Sequence, residues 1–255
     1  MTKIIKYVVV DIVRNKVVLA YTFLSLVISL SVFNIETDGS KGMLSLLNIV
    51  LLIVPLVCIV FSTIYIYNSS EFIELLVSHP IKRKSIWLSL FEGLSFSLVL
   101  AFLTGTGIPV VLYQPNATGY MVISMGVLLT VIFVGIAMLA SLVARDKAKG
   151  IGLSILLWLY FSLIFDALLL FLLFQFQEYP LEKVMIGFSF FNPVDLGRIM
   201  ILLKMDIAAL MGYTGAVFKE FFGSSMGIFV TFFVLLLWIT IPLLISLKKF
   251  DRKDL

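Results

Sequence analysis

Apolar residues in this sequence run on in long blocks. Six blocks reach spanning length, about 20 residues each: approximately 17–34, 43–67, 86–112, 121–144, 151–174 and 226–247. A helix rises about 1.5 Å per residue, so each block crosses a hydrocarbon layer with its backbone N–H and C=O groups satisfied internally. The pattern predicts an all-α membrane protein of six transmembrane helices, forming a single transmembrane domain over residues 1–255. A seventh block, 186–203, is nearly long enough, but Asn192, Asp195 and Arg198 fall inside it, and placing them in lipid is costly. It is expected outside the bilayer.

Three polar-interrupted segments carry a different pattern. In residues 1–16, a helical wheel puts Lys3, Lys6, Asp11 and Arg14 on one side and Ile4, Ile5, Val8 and Ile12 on the other. This reads either as an amphipathic helix lying on the membrane or as the basic flank of the first span. Residues 68–84 predict a short helix with Ser70 as N-cap and Glu71 in the first turn, bearing an apolar stripe of Phe72, Leu75 and Leu76. His79-Pro80 ends it, because the residue before proline avoids helical geometry. A helix so placed fits a groove on a partner protein; the plainer reading is a stabilised turn with snorkelling lysines. The segment 175–225 is long for a connection. There Asn192-Pro193-Val194-Asp195 predicts a helix start running to about Leu210, with Asp195, Arg198 and Asp206 on one side and Lys204 opposite. Gly212 to Gly215 reads as a turn.

Composition agrees with a bilayer: 61% of residues are hydrophobic, and the mean hydropathy is +1.14. The net charge of +4 is no nucleic-acid signal, because the cations sit between the apolar blocks. With the N-terminus inside, fourteen of the nineteen Lys and Arg fall on inner segments, and four of the five outer ones lie in one long loop. The positive-inside rule then places both termini in the cytoplasm, and the expected location is the cell inner membrane. Asp11, Arg14 and Lys16 interrupt the early apolar stretch, so the N-terminus reads as retained, not as a cleaved signal.

Chemistry is sparse. There is no phosphate-cradling glycine loop, and the single histidine, His79, excludes a His-Glu-x-x-His zinc site and argues against a Ser-His-Asp triad. His79 reads as a capping or contact residue. No catalytic residue and no metal site are assigned. Cys58, within an apolar run, reads as a small buried hydrophobe. Two acids fall inside predicted spans: Glu92, near the start of its span, and Asp166, deeper and in the outer half. Intramembrane acids are functional candidates by default. No intramembrane Lys or Arg is expected to pair with Asp166, so its expected partners are hydroxyls or a second copy of the chain. Met121, Met125, Met185, Met200, Met205 and Met211 lie towards the outer side; thioethers bind Cu(I), but without a tight Met-x-x-Met run they read as packing residues. Pro55, Gly105, Gly107, Pro109 and Pro242 mark kinks, and Gly223-x-x-x-Gly227 is a spacing that lets helices approach closely.

The layout resembles the permease subunits of second-type ABC transporters. Three features carry the likeness: the amphipathic N-terminal segment, the outer structured segment before the last span, and Glu74-Leu-Leu-Val-Ser-His-Pro-Ile-Lys-Arg83, which looks like that family's coupling element. The runs Phe191-Asn-Pro-Val-Asp-Leu-Gly-Arg198 and Ala209-Leu-Met-Gly-Tyr-Thr-Gly-Ala216 are most similar to the branch that serves maturation of nitrous oxide reductase. The resemblance implies a non-catalytic, homodimeric permease surrounded by membrane lipid, with no cofactor on this chain. It implies a cytosolic ABC ATPase carrying ATP and Mg, met by Glu71, Phe72, Glu74, Leu75, Leu76, Ser78, His79, Pro80, Lys82 and Arg83. It also implies a periplasmic β-helical protein, met by Asn192, Pro193, Asp195, Arg198, Asp206 and Tyr213, and a role in assembling copper centres. A generic exporter permease for lipid, peptide or drug is the alternative, followed by an ion-coupled secondary transporter; a membrane enzyme comes third.

Overall fold

Each apolar block folds as a helix, and the polar residues between blocks decide where one helix stops and the next begins. The computed structural model describes residues 2–36, 39–144, 146–176, 182–205 and 222–252. Among them there is no strand, and six helices are long and apolar enough to cross a membrane. In chain order the helices are α1 (Thr2–Val13), α2 (Lys16–Ile35), α3 (Gly39–Asn68), α4 (Ser70–Ser78), α5 (Arg83–Phe102), α6 (Ile108–Tyr113), α7 (Ala117–Val143), α8 (Lys147–Leu159), α9 (Phe165–Gln175), α10 (Glu182–Ser189), α11 (Pro193–Lys204) and α12 (Ser225–Asp251). A π-helical turn at Leu103–Gly107 joins α5 to α6 as span three, and another at Tyr160–Ile164 joins α8 to α9 as span five. Spans one, two, four and six are α2, α3, α7 and α12.

Asn15, Asn116, Asp146, Asn192 and Ser224 open α2, α7, α8, α11 and α12, and each side chain accepts a backbone N–H of the first turn. Asp146 lies outside the spans, and the backbone N–H of Lys149 holds its carboxyl below the ordinary value. Two expected signals resolve differently. Ser69, not Ser70, caps α4, without a side-chain bond. Gly223 precedes α12, and Gly227 donates to the Ser224 hydroxyl, so that pair serves the helix start and not a helix crossing.

Burial divides the spans. The apolar stretches of α3, span three and α7 are 50%, 67% and 67% buried, whereas those of α2, span five and α12 are 28%, 22% and 17% buried. The first three form the centre, and the others turn Phe23, Leu156, Phe171 and Phe229 outward. Helices hydrophobic all round need lipid or another chain on that outer face. At Gly105, a side chain would meet the Ser25 hydroxyl at 1.9 Å, which is why α2 can cross span three so closely.

The two ends of the bundle differ in charge. At one end, the Tyr65 hydroxyl at the end of α3 donates to Asp11 of α1 (3.0 Å), and Lys147 donates to Asn68 (2.7 Å). There Lys84 also pairs with Asp251 of α12 (3.5 Å), and the Trp87 indole N–H donates to the Ser246 hydroxyl (3.0 Å). The described cations of residues 3–16, 82–84, 147–149 and 248–252 therefore share this basic end. At the other end, Asn34 donates to the Tyr113 hydroxyl (3.2 Å), and Phe33 stacks on Tyr113.

Candidate functional site

At the basic end, α4 bridges the end of span two and the start of span three. Its inner face, Ile73 and Leu76, is buried. Phe72 is half-buried and packs on Tyr7 of α1, with ring centroids 5.0 Å apart. The outer face presents Glu71, Glu74, Leu75 and Ser78, and Leu75 is 57% exposed. His79, Pro80 and Lys82 follow as an exposed elbow, and His79 closes the helix through its N–H to Leu76 O. Leu76 was grouped with the outward stripe from sequence; the structure buries it, because the helix turns the 73/76 pair to α5 and leaves 71, 74, 75 and 78 free. One short helix is thus gripped from beneath and bare above, with acids, one leucine and a basic elbow in a row.

The second arrangement lies at the opposite end and reaches into the bundle. Helix α11 is buried along almost its whole length: Val194, Leu196, Ile199 and Ile201 are at most 1% exposed. A side chain added at Gly197 would meet Leu129 of α7 and Leu51 of α3, both at 3.8 Å. Those residues lie about 18 Å along their helices at 1.5 Å per residue, near mid-membrane. Lys204, the last residue of α11, and Met205 after it share a cavity at the mouth with Met43, Gln114, Asn116 and Thr118. Helices α10 and α11 therefore form a re-entrant hairpin that turns near Phe191 and Asn192 and comes back out. At 12 residues, α11 is too short to be a seventh span.

Polar ties hold the turn. Asn192 is fully buried; its amide N–H donates to Phe161 O within the π-helical turn of span five (2.8 Å), while its oxygen caps α11. A π-helical turn disrupts the regular i→i−4 ladder, and here Phe161 O receives a side-chain donor. The Trp238 indole N–H of α12 donates to Phe190 O (3.1 Å). Arg198 then forms an ion pair and hydrogen bond with Asp166 of α9. Backbone irregularity at membrane depth is tolerated when other parts of the protein satisfy it.

These contacts correct the expectations for this segment. Asp166 does have a cationic partner, since Arg198 enters the bundle with the hairpin. Asn192, Pro193 and Asp195 were expected to meet an external protein, but their side chains are buried among the spans. Arg198, in the same expected set, is committed to Asp166. Asp206, Tyr213, Met211 and the end of the helix expected at Leu210 lie outside the described residues. The apolar spacing of 186–203 and the shared side of Asp195 and Arg198 were legible; what the sequence did not show was that this helix enters the bundle and brings Arg198 to Asp166.

The ABC-2 transporter family model, described as "ABC-2 family transporter protein", matches residues 4–255. The chain belongs to the ABC-2 transporter family. Among curated relatives of this ABC-2 permease are two named "Probable ABC transporter permease protein NosY". The one from Pseudomonas aeruginosa is 27% identical over 223 residues, covering 79% of this chain and 81% of the relative. The one from Stutzerimonas stutzeri is 26% identical over 275 residues, covering 95% of each chain.

The remaining candidates fall into place around this permease frame. Glu92 is exposed on the bundle surface, and at the adjacent Gly93 an added side chain would meet Val8 of α1 at 2.5 Å, so Glu92 lies at the depth of α1. Met125, Met185 and Met200 are buried packing residues. Cys58 is a buried free thiol.

Proposed function

We propose that this ABC-2 permease couples ATP hydrolysis on a separate cytosolic subunit to an event on the far side of the cell inner membrane, as part of the maturation of the copper centres of nitrous oxide reductase. The observation that carries the coupling role is α4, held against α1 and α5 on one face and bare on the other, with Glu71, Glu74 and Leu75 outward. An amphipathic helix laid in a groove transmits displacement when one face is fixed to the moving element and the other to the partner. The basic end is the cytoplasmic end on the positive-inside rule. The partner is a NosF-like ATPase carrying ATP and Mg, the outer partner is a NosD-like β-helical protein, and the permease works as a homodimer across its weakly buried spans. The maturation role rests on the NosY-named relatives and the runs around Asn192 and Tyr213.

Closure of the ATPases displaces α4, and the displacement passes into spans two and three. The start of span three is fastened to the end of span six through Lys84–Asp251, Trp87–Ser246 and the Trp87–Phe250 stack. Span six in turn holds the hairpin through Trp238. Energy enters as the difference in binding between the two ATPase states.

The test is the double variant Glu74→Arg with Leu75→Asp in a host growing on nitrous oxide as sole electron acceptor. Expected is normal membrane insertion, ATPase activity no longer linked to maturation, and loss of growth. Normal growth ends the docking role of α4. Co-purification of the tagged wild-type chain in mild detergent separates the readings. An ATPase together with a periplasmic β-helical protein supports the maturation assembly. An ATPase alone supports a generic exporter, and neither supports a stand-alone transporter.

A further inference from the structure

Helix α2 brings three hydroxyls to the seam it shares with α3 and the π-helical turn of span three. Tyr21, Ser25 and Ser29 fall on one face of α2, four residues apart. All three are buried: Tyr21 is 7% exposed and Ser29 1%. Together with Val50 and Val54 of α3 and Thr106 of the turn, they line a small cavity. It leaves about 10 Å³ for the centre of a water molecule, which is about what one water needs. No charged residue lines it, so a bare ion would find no counter-charge there.

The hydrogen bonds around this cavity are out of balance. The Ser25 hydroxyl donates to Thr22 O (3.0 Å), and the Ser29 hydroxyl donates to Ser25 O (2.7 Å). Each serine has thus spent its hydrogen and keeps a lone pair. Tyr21 is the reverse case: its hydroxyl has no hydrogen-bond partner, so its hydrogen is unspent. Donor and acceptors border one cavity, yet no bond joins them. A phenol hydroxyl buried without a partner is costly, because it has given up its bonds to water for nothing. One water answers both needs. It accepts from Tyr21 and donates to the two serines, about three bonds in all, the usual number for a buried water.

We propose that the seam between spans one, two and three is a binding site for a single internal water, held by Tyr21, Ser25 and Ser29 beside Thr106 of the π-helical turn. Span one is only 28% buried, and the water gives it a polar tie on the face that it does bury. The tie lies next to the close crossing of Ser25 and Gly105, so water and crossing together fix where α2 meets the turn. The inference stands apart from the maturation role, because it concerns this chain alone.

The experiment is water-edited solid-state NMR of the full chain in lipid bilayers, with tyrosine labelled at the carbon that bears the hydroxyl, and thermal unfolding of the same samples. The Tyr21 signal is assigned by its absence in Tyr21→Phe. Magnetisation is expected to pass from water to Tyr21 despite its burial. The transfer is expected to be lost in Ser29→Val, whose added methyl fills the cavity while Tyr21 keeps its hydroxyl. Tyr21→Phe is expected to lower the melting temperature, because the water loses the group that donates to it. In a dry cavity the same change removes an unpaired hydroxyl, and the melting temperature stays or rises. A Tyr21 signal that receives nothing from water overturns the proposal, as does transfer that survives Ser29→Val, or a melting temperature that does not fall in Tyr21→Phe. Should Ser29→Val fail to fold, the transfer in the native chain and the direction of the Tyr21→Phe shift decide.

Discussion

Arg198 lies among apolar spans, and it is the one position where a single side chain decides whether the hairpin can stay there. A guanidinium in a low-dielectric bundle needs a counter-ion and hydrogen-bond acceptors, and Asp166 supplies both. Removing one partner leaves the other charge stranded, and removing both does not. Arg198→Leu or Asp166→Leu alone is expected to destabilise by about 3 kcal/mol, and the double Leu variant by much less. Thermal unfolding in nanodiscs checks this; equal, additive losses would show that the pair carries no coupling. Asp166 stood out in the sequence as an acid inside a span. Its partner did not, because Arg198 is 32 residues away and reaches it only when the chain turns back into the bundle. Cost alone argued for keeping Arg198 outside, and an ion pair removes most of that cost.

At the scale of elements, α4 and the hairpin show how far local pattern reaches. The length of α4, its acidic start and its proline end were legible, because capping and φ restriction are local. Which face is bare was not, since five apolar residues in nine leave the orientation to the neighbours. The structure separates adjacent leucines: Leu76→Ala is expected to cost about 2 kcal/mol or more, and Leu75→Ala within about 0.5 kcal/mol. Equal losses in chemical denaturation would mean that α4 is not seated as described. In the hairpin, the Asn192-Pro193 start was also legible, but its burial was not. Asn192→Ala removes a helix cap and the donor to Phe161 O together, so it should cost about 2 kcal/mol or more, well beyond an exposed cap. Asn15→Ala, at an exposed cap, is the comparison, and similar losses would deny the tie to span five. The π-helical turn in span three contains the flagged Gly105 and Gly107, with Pro109 just after it, whereas the turn in span five, Tyr-Phe-Ser-Leu-Ile, has no breaker to betray it. Its cause is tertiary.

For the whole molecule, six spans followed from run length, because the thickness of a bilayer is a fixed ruler. Which spans form the centre did not follow, since helices apolar on every side carry no periodic stripe to rank their faces. The structure groups the basic segments at one end and Lys204, Asn116 and Gln114 at the other, and this grouping makes orientation measurable. Cys58 is buried, so the native chain offers a quiet background for thiol labelling. Cysteines introduced at Lys6, His79 and Lys249 are expected to react with a membrane-impermeant maleimide only after the cells are opened. Cysteines at Asn116 and Lys204 should react in intact cells once the outer envelope is permeable. Reaction of the first set in intact cells would reverse the orientation and turn α4 away from any cytosolic ATPase. Reaction of His79 and Lys249 from opposite sides would break the six-span count itself, because an even number of crossings is what puts α1, α4 and the end of α12 on one surface.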